Sequence, residues 1–205
     1  VIPFTTISND SFQEWLEAGR QLEPKYGYPS VILLPEDTVV KIWAKKPGLF
    51  SSGRWSPYSS RFVKHALALK SLGFSVPELL THSRLAETQV RIVHYRALPG
   101  ESVRSILHRE PSLIDIPALA LFYKSLHDHG VDFKGGHLGN LIQIKPGKFG
   151  LIDFTSLKLH RRPLNNKERI RNLSRPLSYL DDLAAMREAG LPDLKQTYEA
   201  LQSLP

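Results

Sequence analysis

Two side chains late in the middle of this chain, Asn140 and Asp153, are of a type and spacing that can share a divalent cation. Both end in hard oxygen donors. Mg²⁺ takes such donors, usually one or two from protein with phosphate oxygens and water completing its shell. They stand in Gly136-His137-Leu138-Gly139-Asn140-Leu141-Ile142 and Gly150-Leu151-Ile152-Asp153-Phe154, thirteen residues apart, with Lys145-Pro146-Gly147-Lys148 between the two apolar runs. A strand–turn–strand pattern of this kind returns the second donor to the neighbourhood of the first. His137 and Asp132 are the titratable residues nearby that could act as a general base, and His137 also reads as a hydrogen-bonder that orders the loop.

The rest of the chain supplies elements to hold these residues. Ser8-Asn9-Asp10-Ser11 offers N-caps for a short helix over Phe12–Arg20, with Glu14 and Glu17 in its early turns. Val31–Leu34 and Val39–Trp43, around Pro35-Glu36-Asp37-Thr38, predict a hairpin in which Lys41 is polar amid β-branched neighbours. Residues 44–60, rich in Lys, Gly, Ser and Pro, read as a loop holding Phe50, Trp55 and Tyr58. Arg61–Leu72 reads as a helix with Phe62, Ala66, Leu69 and Leu72 on one face and Gly73 as its stop. Glu78–Ser83 and Gln89–Tyr95 predict two further strands, and Ala97-Leu98-Pro99-Gly100 a break.

Beyond the break come a short helix over Ser102–Arg109 and a longer one over Ile116–Gly130, with Leu119, Phe122, Tyr123 and Leu126 inward. The hairpin of Leu141–Ile144 and Phe149–Ile152 follows, then helix from about Asn165 onward. No internal repeat and no low-complexity segment interrupts this order. It predicts an α+β protein of two lobes: 1–95 with a small antiparallel sheet and one helix, 96–101 as a hinge, and a helical 102–205 carrying the embedded hairpin.

Composition narrows the classes of function. With 205 residues, 41% hydrophobic and 23% charged, the chain is long enough to bury a core. No run of about 18 apolar residues is present, so no transmembrane helix is predicted. Val1-Ile2-Pro3-Phe4-Thr5 lacks the basic-then-apolar form of a signal peptide. Zero cysteines exclude disulfides and thiolate metal sites and fit a reducing, cytoplasmic compartment. A net charge of +7 favours an anionic partner: nucleotide phosphates, a phosphorylated glycolipid, an anionic membrane surface or nucleic acid. The basic residues are densest at Lys158–Arg162 and Lys167–Arg175, with no aromatic-interleaved, zinc-finger or helix-turn-helix signature, which argues against nucleic acid. A solvated basic surface without a dedicated partner is the plain alternative.

At these motifs the sequence resembles the protein-kinase-like superfamily, in particular the bacterial lipopolysaccharide-core kinase and toluene-tolerance group. The resemblance covers about residues 25–160. It rests most on His137-Leu138-Gly139-Asn140-Leu141-Ile142 with Leu151-Ile152-Asp153-Phe154, then on Val39-Val40-Lys41-Ile42 and the hinge-like Tyr95-Arg96-Ala97-Leu98-Pro99-Gly100-Glu101-Ser102. It implies a two-lobed kinase-like fold that binds ATP and Mg²⁺. Asn140 and Asp153 would hold the metal, Lys41 the α/β-phosphates, and Arg96, Ala97 and Leu98 would line the nucleotide site, with Lys41, His137, Asn140 and Asp153 as the catalytic set. Singly, Lys41 reads as a strand lysine reaching solvent, Asn140 as a turn-former and Asp153 as a cap; their joint order is what carries the resemblance.

The chain also departs from the kinase pattern. Gly135 stands where a catalytic Asp is expected, Lys134 where Arg is, and Phe133 where His or Tyr is. The Arg61–Leu72 helix has no acid to pair with Lys41, only Gly27-Tyr28-Pro29-Ser30 could cover phosphates, and Thr155 rather than Gly follows Asp153-Phe154. The resemblance therefore implies either an ATP-dependent kinase for a sugar hydroxyl of lipopolysaccharide core, working at the cytoplasmic face of the inner membrane, or a nucleotide-binding pseudokinase that regulates or scaffolds.

Overall fold

The computed structural model describes residues 2–44 and 57–203. Phe50 and Trp55 of the expected loop lie outside the described residues. The chain forms two compact units, one running through Ser71 and resumed by Pro77–Ala97, the other made of Leu72–Val76 and Leu98 onward. A six-stranded sheet in the N-terminal part and helices after it make this an α+β protein.

The sheet of the first unit comprises β1 (Phe4–Ile7), β2 (Arg20–Lys25), β3 (Tyr28–Leu34), β4 (Thr38–Trp43), β5 (Glu78–Leu85) and β6 (Arg91–Arg96), in the order β1-β5-β6-β4-β3-β2. The β3–β4 hairpin is as the sequence predicts, turning through Glu36 and Asp37 in left-handed conformation. The sheet is not wholly antiparallel, because β1 runs parallel to β5 along one edge. The first helix, α1 (Asn9–Ala18), starts earlier than expected, with the Ser8 hydroxyl accepting the Ser11 N–H. It also stops earlier, because Arg20 is drawn into the sheet opposite Leu33 and a Cβ at Gly19 would collide with Ile32.

Strand alternation sorts the side chains of β4. Val40 and Ile42 enter a core with Phe12, Ile32, Leu85, Val90 and Ile92, against which Trp15 and Leu16 of α1 pack. Full burial of each large apolar side chain contributes about 1.5–3 kcal/mol. Lys41 and Trp43 face the other way, toward Phe62 of α2 (Tyr58–Ser71). This helix begins at Tyr58, inside the span expected to be loop. Phe62, Ala66 and Leu69 are buried, whereas Leu72 lies past its end and is 37% exposed, because the left-handed Gly73 ends the helix there.

In the second unit β7 (Glu101–Ser102), β9 (Leu141–Lys145) and β10 (Lys148–Leu151) form a three-stranded sheet. Ser102 caps α3 (Val103–Arg109), and Asp115 caps α4 (Ile116–Asp128). Leu119, Tyr123 and Leu126 of α4 are fully buried and Phe122 is partly exposed. After the left-handed Gly130 comes β8 (Val131–Asp132), paired with β11 (Lys158–Leu159). Three helices close the chain: α5 (Asn166–Leu173), begun by a capping box between Asn165 and Glu168, then α6 (Leu180–Glu188) and α7 (Leu194–Gln202), which packs on α4.

A buried polar chain ties these helices to β8. Asn172 Oδ1 can only accept, so His127 donates to it from Nε2 at 3.0 Å, and His127 Nδ1 accepts from the Tyr198 hydroxyl at 2.6 Å. Asn172 Nδ2 then donates to Asp132 Oδ1 at 2.9 Å, and Arg171 to Asp132 Oδ2 at 3.1 Å. Burial holds His127 at a pKa of about 4, against the opposing pull of its hydrogen bond to Asn172.

The pH dependence of stability follows with a definite sign. The unfolded chain binds a proton at His127 as pH falls below 6.5, the folded chain only near 4, so stability is present above that window and lost on descending through it. The loss amounts to roughly 3 kcal/mol at most. Urea melts between pH 7.5 and 4.5 should show wild type losing more stability than His127→Gln. Parallel pH profiles for the two proteins would contradict the neutral, buried His127.

Candidate active site

The β9–β10 hairpin brings the two candidate metal ligands together. Leu151 pairs with Leu141, so the residues flanking that end are neighbours, and Ile152 N–H donates to the Asn140 carbonyl at 3.0 Å. Asn140 ends the short 3₁₀ turn Leu138–Asn140. Its Nδ2 donates to the Gly135 carbonyl at 2.9 Å, which leaves Oδ1 as the oxygen the amide can offer to a cation. Asp153 is exposed and held at φ 50°, a left-handed conformation uncommon outside glycine, with Phe154 fully buried behind it. Thr155 Oγ1 approaches Asp153 Oδ1 at 3.5 Å. A Cβ placed on Gly135 would lie 3.4 Å from Asn140 Nδ2 and 3.6 Å from the Asp153 carbonyl oxygen, so all three residues meet at one place.

The loop from Phe133 to Asn140 is braced from below. Phe133 is fully buried, and the buried Tyr123 hydroxyl donates to the Gly136 carbonyl at 2.7 Å; burial pushes the Tyr123 pKa upward. The His137 ring stacks edgewise on Tyr179 at 5.2 Å, and the Arg104 guanidinium lies over the opposing Tyr179 ring at 4.0 Å. Arg104 in turn grips both oxygens of Asp182 at 2.8–3.0 Å, and His108 Nε2 reaches Asp182 Oδ1 at 3.0 Å. Burial and then the Arg104 charge lower the His137 pKa, with Asp153 and Asp182 pulling it back up. His137 Nδ1 is buried with no hydrogen-bond partner among the described residues.

The remaining candidates lie as follows. Lys41 sits on β4 with its ammonium 5.6 Å from the Phe62 ring centre and 5.8 Å from that of Trp43. Arg96 ends β6, exposed and 3.7 Å from Glu78. The Ala97 N–H donates to the Asp37 carbonyl at 2.8 Å, so it is not a donor for a nucleotide base. Leu98 belongs to the second unit and packs its side chain on Gly150. Gly27 forms with Tyr26 the left-handed two-residue turn of the β2–β3 hairpin. Asp132 is no base: it is 3% exposed and engaged by Arg171 and Asn172.

Tyr123 is inward as the sequence predicts, but Arg104, Tyr179 and Asp182 escape it, since an acid near a helix start reads as a dipole partner and not as a buried clamp. No cluster of three His or acidic residues able to hold a metal occurs among the described residues. Two oxygen ligands fit Mg²⁺ that arrives with phosphate oxygens, not an all-protein cage.

The Asp182 clamp yields a stability test. Asp182→Ala removes the hydrogen bonds from Arg104 and His108, which stay partly exposed to water, and should cost about 1–3 kcal/mol in urea denaturation. The exposed neighbour Asp181→Ala should change stability by less than about 0.5 kcal/mol. Equal effects of the two would show that the clamp does not brace the loop.

A scan against protein-family models finds no match. A search of curated proteins finds none either. Among solved structures, the chain is similar to the bifunctional kinase-methyltransferase WbdD at 21% identity and a TM-score of 0.45, over 63% of this chain and 30% of that one.

Proposed function

We propose that this chain is an ATP- and Mg²⁺-dependent phosphotransferase acting on a sugar hydroxyl of an anionic glycolipid, with lipopolysaccharide core as the acceptor class. The observation that supports this most is the meeting of Asn140 and Asp153 at the open end of the β9–β10 hairpin, directly beside Gly135. In this role Asn140 Oδ1 and the Asp153 carboxylate bind the cation, which when bound would neutralise charge on the transferring phosphoryl group. Lys41 binds the α/β-phosphates, and Arg96, Ala97 and Leu98 border the nucleotide, with residues 96–101 as the hinge. His137 orders the loop through Tyr179, and burial followed by the Arg104 charge lowers its pKa.

Phosphoryl transfer through a loose transition state depends chiefly on positioning and charge, so a site without an Asp at 135 retains most of what it needs. The net charge of +7 supports an acidic acceptor and peripheral contact with the cytoplasmic face of the inner membrane. Among the described residues no helix is long and apolar enough to cross a membrane. The second reading, a nucleotide-binding pseudokinase, is favoured by Gly135 and by the absence of any acid from α2.

Calorimetry with Mg·ATP and a transfer assay on deacylated core oligosaccharide separate the two. The kinase reading expects binding and transfer, abolition of turnover in Asp153→Ala, and a much smaller loss in His137→Ala than the roughly 10²–10⁴-fold of a lost general base. Binding without transfer selects the pseudokinase. Failure to bind nucleotide ends both readings.

A further inference from the structure

The second unit has a trough between α5 and α7, apart from the candidate metal ligands. Asn166, Ile170 and Leu173 line one wall, and Lys195, Tyr198 and Gln202 the other, around a cavity of about 280 Å³. On each helix these positions recur every three or four residues over roughly two turns, about 10 Å of rise. The space is therefore long for its volume. Leu173 and Tyr198 are 3% and 2% exposed at its floor, Leu177 extends it past the end of α5, and Ile170 stands 59% exposed at its edge.

A polar cleft of about 560 Å³ adjoins the trough, because Asn166, Glu199 and Gln202 line both. Asn166 begins α5 and Gln202 ends α7, so the cleft lies at one end of the trough, with Leu173 and Leu177 toward the other. Its further wall is built by Lys124, Asp128 and Arg169. Lys124 and Arg169 share Asp128, at 2.9 and 2.7 Å, and Glu199 stands 3.8 Å from Lys195 of the trough. Among the described residues the charged groups of the cleft are thus two cations and two carboxylates, which balance. An ionic head of either sign would meet like charge there as well as opposite. A hydroxyl both donates and accepts, and this wall offers an ammonium donor, carboxylate acceptors and the amides of Asn166 and Gln202.

We propose that the two spaces form one binding site for a single-chain amphiphile with an uncharged, hydroxyl-rich head, of the alkyl glycoside class. The head occupies the cleft between Lys124, Asp128 and Glu199. The chain lies along the trough over Leu173 and Leu177, with Ile170 at its side. Together the spaces fall in the size range of ligand sites, about 300–1,000 Å³. The trough floor includes Tyr198, whose hydroxyl donates to His127, so an occupant also secures the first link of the buried polar chain. This site is independent of the phosphotransferase reading.

Calorimetry with hexyl, heptyl, octyl and nonyl glucoside, each below its micelle concentration, tests the site on the full wild-type chain. Affinity should rise about fourfold per added methylene until the trough is filled. Octyl sulfate and octyltrimethylammonium should each bind about tenfold more weakly than octyl glucoside, since the cleft has no unmatched charge for either. Ile170→Gln, at an exposed position, should weaken octyl glucoside about tenfold. Leu121→Gln, 56% exposed on α4 and outside both spaces, should leave it unchanged. Glu199→Lys gives the balanced cleft a net positive charge and should invert the order of octyl glucoside and octyl sulfate. No binding of any glucoside, or an affinity that does not change with chain length, would overturn the site. So would equal losses in Ile170→Gln and Leu121→Gln, which would mean adsorption of detergent to any exposed apolar side chain. Equal affinity for the three heads, or an order unchanged by Glu199→Lys, would overturn the assignment of the cleft.

Discussion

The second unit depends on one buried carboxylate. Asp132 stands at the end of the two-residue strand β8, and a charge so placed is tolerable only when fully hydrogen-bonded. Its partners come from far along the chain, Arg171 and Asn172 on α5, and Asn172 is itself fixed by His127 and, through it, by Tyr198 of α7. The donors run in one direction, from the Tyr198 hydroxyl through neutral His127 and the Asn172 amide to Asp132. A protonated His127 would reverse one link, and the Arg169 charge nearby opposes it further. The C-terminal helices therefore act as the counter-charge and the scaffold for the strand from which the Gly135–Asn140 loop departs.

That strand has a second use. β8 leads into the loop, and β11, which pairs with it, follows Asp153 by only a few residues. Asn140 and Asp153 are thus tied twice, once by the β9–β10 ladder on one side and once by the β8–β11 ribbon on the other. Between these ties Asp153 sits in a left-handed conformation that costs about 1–2 kcal/mol for a residue with a Cβ. Burial of Phe154 alone, at about 1.5–3 kcal/mol, is enough to offset it.

Elements whose own residues dictate their conformation were legible in the sequence. The β3–β4 and β9–β10 hairpins carry apolar runs bounded by turn residues, Ser102 caps its helix, and Gly73 ends α2 in a left-handed conformation. Elements defined by distant partners were not. β1 is largely exposed and shows no alternation, so only β5 makes it a strand. β8 and β11 are two residues each, too short for any period to show. His127 has the sequence context of a helix C-terminal histidine that would favour a positive charge, yet it is buried and neutral because Asn172 and Tyr198 arrive from later helices. The nearness of Asn140 and Asp153 was legible because their spacing is local to one hairpin; the Arg104–Asp182 clamp spans 78 residues and was not.

Lys41 shows how a local rule sets the chemistry available on the first unit. The β4 pleat directs Val40 and Ile42 into the core with α1 and turns Lys41 toward α2, so a one-residue change of register would send it into that core. On its own face α2 offers no carboxylate, and the ammonium lies over Phe62 and Trp43. A cation above aromatic faces gains about 0.5–2 kcal/mol depending on desolvation. The aromatic contacts and the strand pleat together fix where the ammonium stands on this face of the sheet.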